Sequence, residues 1–101
     1  MLADIAPAFE REYGCTEVDW LRWLPGAVRD HALNLSEPTR DAVVSLETGT
    51  LRLDWTPLPP RQIALVRMPR MTVRFLFADV DAADRRQFMR YFDLYMQRGG
   101  G

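Results

Sequence analysis

The clearest pattern in the chain is Ala42-Val43-Val44-Ser45-Leu46-Glu47-Thr48-Gly49-Thr50-Leu51-Arg52-Leu53-Asp54-Trp55. Alternate positions collect Ala42, Val44, Leu46, Leu51, Leu53 and Trp55, all apolar; the others are Val43, Ser45, Glu47, Thr50, Arg52 and Asp54, polar except for the valine. Successive side chains of a strand point to opposite faces, so this alternation spells two strands, with Thr48-Gly49 as their turn. On that turn the paired residue numbers sum to 97. A one-residue slip would mix the two faces, which pins the register. The result is a sheet with one apolar face that another layer must cover.

Working outward, His31, Leu33 and Leu35 alternate with Ala32 and Asn34, and Ser36-Glu37-Pro38-Thr39 reads as a turn. Downstream, Trp55-Thr56-Pro57-Leu58-Pro59-Pro60-Arg61 carries three prolines and is read as a stiff connector. A second hairpin is predicted with Pro69-Arg70 at its turn and pairs summing to 139. One of its faces, read as the core face, holds Ala64, Val66, Met68, Met71, Val73, Phe75 and Phe77, with only Gln62 polar. The other holds Arg61, Ile63, Leu65, Arg67, Thr72, Arg74 and Leu76.

Helical spacing brackets this sheet. Ile5, Ala6, Phe9 and Tyr13 suggest a first short helix over Asp4–Tyr13, stopped by Gly14. Thr16-Glu17-Val18-Asp19 opens a second, burying Val18, Leu21 and Leu24 and ended by Pro25-Gly26. Phe88, Met89, Phe92, Tyr95 and Met96 form the apolar stripe of a long final helix, capped by Asp79 or Asp81 and stopped by Gly99. The predicted class is α+β: two short N-terminal helices, an antiparallel meander of about five strands, and a long C-terminal helix packed on the sheet. One domain is expected over residues 1–98, with Gly99–Gly101 a flexible tail. The element order is similar to that of START-like ligand-cavity folds, without the strand that opens them and with no shared motif.

Composition sets bounds on function. The 101 residues are 48% hydrophobic and 27% charged, as in ordinary globular domains. No run suits a membrane span and no signal peptide is legible, so a cytoplasmic protein is expected. One cysteine and one histidine leave little material for a disulfide or a metal, and no phosphate-binding glycine loop appears. Cys15 precedes a helix start, where a thiol pKa can fall, but no base stands near it in sequence. His31 adjoins Asp30, yet neighbours in a strand point apart. The expectation is a chain without catalytic residues, cofactor or metal.

All thirteen basic residues are arginine, a composition read as coding bias. Their distribution is more informative. Residues 1–54 carry a balance of −5, residues 55–78 of +4 with no acid, and residues 79–101 cancel. The second hairpin is therefore a basic ribbon with apolar residues among its arginines, the mixture found at interface cores and rims. The primary expectation is a small interaction module that self-associates through Arg61, Ile63, Leu65, Arg67, Arg70, Arg74 and Leu76. Its partner is a second copy or another protein, while the overall charge of −1 speaks against nucleic acid. The alternative is a binder of a small apolar or amphipathic ligand between sheet and C-terminal helix, with Trp20, Trp23, Met68, Met71, Phe88 and Phe92 as its lining.

Overall fold

The computed structural model describes residues 4–99. Its elements are β1 (Ala8–Tyr13), α1 (Glu17–Ala27), β2 (Ala32–Ser36), β3 (Asp41–Ser45), β4 (Thr50–Ile63), β5 (Val66–Ala78) and α2 (Ala82–Gln97). The class is α+β, with one antiparallel five-stranded sheet in the order β1-β5-β4-β3-β2. Odd-numbered residues of β5 and of the first part of β4 point to one face: Met71, Val73, Phe75 and Phe77, with Leu51, Leu53 and Trp55. These meet Trp20 and Leu24 of α1 and Phe88, Met89 and Phe92 of α2 in a single aromatic-rich core.

The first predicted helix is instead a strand. Phe9 and Tyr13 are four apart, a spacing that fits a period of two as well as one of 3.6. β5 offers an open edge, and β1 takes it, pairing Ala8 with Leu76 through Tyr13 with Met71. Phe9 then stacks on Phe75 with ring centres 4.7 Å apart. An opening strand is thus present, and one N-terminal helix remains where two were expected.

That helix starts as the sequence indicates, with the Thr16 hydroxyl accepting from the Asp19 N–H at 3.1 Å. It runs through Pro25 and Gly26 to Ala27. Gly26 is there for room: a Cβ would lie 2.0 Å from the Tyr95 hydroxyl of α2. Its buried stripe is Trp20, Leu24 and Ala27, whereas Val18 is 65% exposed. The final helix matches its expectation. Asp81 caps it through the Asp84 N–H at 2.8 Å, and Gly99 ends it with φ of 64°. The expected tail beyond, Gly100 and Gly101, lies outside the described residues, as do Met1–Ala3.

The first hairpin has the predicted faces in a different register. Ser45 pairs with Thr50 and Ala42 with Leu53, so paired numbers sum to 95. A shift of two residues preserves the alternation, and a four-residue loop closes with the Leu46 N–H donating to the Gly49 carbonyl at 2.9 Å.

The proline-rich connector is part of β4. Beyond Asp54 the strand has β5 on one side only, because β3 ends at Asp41. The Trp55 N–H donates toward the β3 side, to the Arg40 carbonyl at 3.1 Å. Pro57, two residues on, turns its missing donor toward the same side, where no strand follows among the described residues. Pro59-Pro60 occupy a bulge between Leu58 and Arg61. The second hairpin therefore turns at Ala64-Leu65, with Ile63 opposite Val66, and Pro69-Arg70 lie inside β5. Ala64 takes φ of 54°, a turn conformation that sequence assigns first to glycine or asparagine.

A polar cluster ties α1 to the sheet. Glu17 accepts from the Trp55 indole N–H at 2.8 Å and from Arg40 Nε at 2.8 Å, and Arg40 leads the chain into β3 with φ of 52°. The Arg40 hydrogen bond, helped by Trp55, lowers the Glu17 pKa below its usual value against an opposing burial effect. A depressed carboxylate pKa stabilises the fold above the unfolded-state value, and that contribution is lost as pH falls through the folded one. Glu17→Gln is expected to cost about 1 kcal/mol at pH 7, the exposed arginine being discounted for solvent screening. In urea titrations the gap from wild type should close below about pH 4.

Candidate functional site

β4 and β5 continue past the rest of the sheet as a two-stranded arm, in which residues 59–69 are exposed. The bulge aims its side chains. One extra residue in β4 reverses its alternation, so Arg61 and Ile63 fall on the face that Val66 and Met68 share across the ladder. This is the helix-free face of the sheet, continued on β5 by Arg70, Thr72, Arg74 and Leu76. Leu65 at the turn is 98% exposed, Val66 59%, Ile63 58% and Met68 47%.

Of the residues expected to bind a partner, Arg61, Ile63, Arg70, Arg74 and Leu76 thus share a face, and Leu65 crowns the arm. Arg67 pairs with Gln62 on the opposite face. Arg70 stands at the base of the arm, where it was expected at the tip. It donates to the Pro59 carbonyl at 2.9 Å, holding the bulge, and to Glu12 at 3.2 Å. Arg74 makes a two-point contact with Asp54 at 3.0 and 3.3 Å, and Arg61 lies 3.8 Å from Glu12. Val66 and Met68 are additions. The predicted turn at Pro69-Arg70 had assigned both to the buried face, and the composition of Ile63–Val66 held no glycine to reveal the true one.

The alternative ligand set is dispersed. Trp20, Met71 and Phe92 are fully buried, with Trp20 and Phe92 rings 6.2 Å apart, and Phe88 lies beside them. Trp23 is half-buried and Met68 stands on the arm, so the six do not enclose a common space. A cavity of about 190 Å³ opens elsewhere, between the end of α1, the β3–β4 loop and α2; Phe88 is its one member from that set.

Burial shifts two titratable groups beside β1. Cys15 is buried, and desolvation, with a smaller push from Asp19, raises its thiol to about 11, opposite to a helix-start activation. The Tyr13 hydroxyl is pushed up to about 12 by burial. Arg11 and Asp93 form a part-buried ion pair joining β1 to α2. Among the described residues no three metal-binding side chains cluster, and no helix is long and apolar enough to cross a membrane. No family model, no curated protein and no solved structure matches the chain.

Proposed function

We propose that this is a non-enzymatic interaction domain that self-associates through the arm and the helix-free face of its sheet. The observation that carries the reading is the arm itself: Ile63, Leu65, Val66 and Met68 are held out on a ribbon and stand between 47% and 98% exposed among the described residues. An isolated two-stranded ribbon is marginal in water, and clustered exposed apolar side chains mark contact surfaces.

Charge favours a second copy as occupant. Arg61, Arg70 and Arg74 are each paired with an acid of their own chain, so the surface offers few free cations to a polyanion. Glu10, Glu12, Asp41 and Asp54 share the face with Arg52, Arg61, Arg70 and Arg74. A surface carrying both signs can complement itself about a two-fold axis. Five strands at about 4.8 Å spacing, plus the arm, present roughly 600 Å², the lower end for one side of a specific interface. The prolines of β4 remove donors from its free edge, so docking goes through side chains and not by strand addition.

Light scattering after size exclusion is expected to give about twice the 11.7 kDa chain mass. Ile63→Glu and Leu65→Glu should each return it to monomer with unchanged circular dichroism, since neither side chain is in the core. A wild-type monomer at about 100 μM, or variants that stay dimeric, would refute the reading.

A further inference from the structure

We infer that the cavity between α1, the β3–β4 loop and α2 is a binding site for a small organic cation of the alkylammonium class. Three aromatic rings line it: His31, Phe88 and Tyr91. The His31 and Phe88 rings lie 5.7 Å apart at 52°, so they present faces in different directions. Two carboxylates, Glu47 and Asp84, share the lining. Asp84 donates to the capping Asp81 carboxylate through its backbone N–H, which leaves its own carboxylate out of that bond.

The end of α1 adds to the negative potential. Ala27 and Val28 close the helix against the cavity, and its last turn contains no basic residue. The negative end of a helix dipole favours a cation. Rings, carboxylates and a helix C-terminus together make the environment in which quaternary ammonium groups are held. The space suffices: a cavity of about 150 Å³ accepts benzene, comparable in girth to a trimethylammonium head.

A second observation comes from the chain's own cation. Arg29, in a left-handed conformation with φ of 59°, lays its guanidinium 4.4 Å from the centre of the Tyr91 ring. Tyr91 already seats a cation, and Arg29 is the internal competitor a ligand must displace. This gives the variants opposite signs. Tyr91→Leu should weaken binding roughly tenfold, as loss of a desolvated cation–π contact does. Arg29→Asn, which keeps a residue tolerant of positive φ, should strengthen it severalfold.

The probes are choline chloride and its neutral isostere 3,3-dimethylbutan-1-ol, titrated into the whole chain with His31, Phe88 and Tyr91 resonances followed by NMR. Choline is expected to shift these resonances saturably, the isostere much less, with the two variants moving affinity in opposite directions. Equal binding of both probes would leave an apolar pocket with no preference for charge and overturn the assignment. So would silence toward choline in wild type and Arg29→Asn alike. The outcome is independent of the arm, because no cavity residue lies between residues 55 and 78.

Discussion

Gly49→Ala is expected to destabilise the protein by about 3 kcal/mol, the upper range for forced overpacking. A Cβ at this position would stand 2.0 Å from the Ala78 carbonyl oxygen and 2.6 Å from that of Asp79. Both are backbone atoms at the end of β5, beside the paired Thr50 and Ala78, so neither can rotate away as a side chain would. Relief requires the β3–β4 loop to lift from β5, and Leu46, Glu47 and Thr48 of that loop also line the cation cavity. For a domain of this length the melting temperature should fall by roughly 15 °C. Gly14→Ala is the control: its Cβ would meet nothing closer than the Pro69 carbonyl at 3.9 Å, and its cost should stay within about 0.5 kcal/mol. Comparable thermal melts for the two variants would show that the loop yields and that the close approach carries no stability.

Phe92→Ala should cost about 4 kcal/mol, within the range for truncating a buried aromatic side chain. Phe92 is fully buried where both helices and the sheet converge. Its ring meets Phe75 edge-on at 5.5 Å, Trp20 at 6.2 Å and Phe88 at 5.9 Å. Truncation removes the transfer free energy of the ring and leaves a void bounded by three rigid aromatics that cannot collapse far into it. Urea unfolding followed by tryptophan fluorescence reads the loss. Against a total stability typically of about 5–15 kcal/mol, it consumes a substantial share. Phe92→Leu should recover more than half of it. A stability loss under about 1 kcal/mol for the alanine variant, taken as the midpoint shift times the slope m, would mean α2 is held mainly by other contacts.

Gly49 and Gly26 show how a residue can be noticed for the wrong reason. Thr48-Gly49 is legible as a turn because glycine permits positive φ, yet Gly49 does not adopt it; its small size is what Ala78 requires. Gly26 reads as a helix stop, and instead clears space for Tyr95. In each case the deciding atom belongs to a residue about thirty or more positions away, which no local pattern contains. The arm has the same origin. Local composition around residues 55–61 forbids a central strand, correctly for the half beyond Asp54. Only the early end of β3 makes that half an edge on which prolines are acceptable.

Periodicity and near neighbours alone establish the α+β class, the Thr16 cap, the inward stripe of α2 and the two faces of Ala42–Trp55, and they leave Asp79 and Asp81 as alternatives for the α2 cap. These follow from periodicity and from bonds made within a few residues, and a register shift of two leaves them unchanged. The sequence also singled out the 61–76 segment as both basic and apolar. Contacts between elements distant in sequence account for the rest. Phe9 and Tyr13 became strand residues because β5 had an open edge beside Phe75. The turn moved to Ala64-Leu65 because a fourteen-residue β4 pairs with a thirteen-residue β5 across one bulge. That extra residue put Ile63, Val66 and Met68 on one face, and the meeting of α1, α2 and the β3–β4 loop put His31, Phe88 and Tyr91 around one cavity. Both surfaces arise where elements distant in sequence meet, and the energy that selects such meetings is burial summed over the whole core.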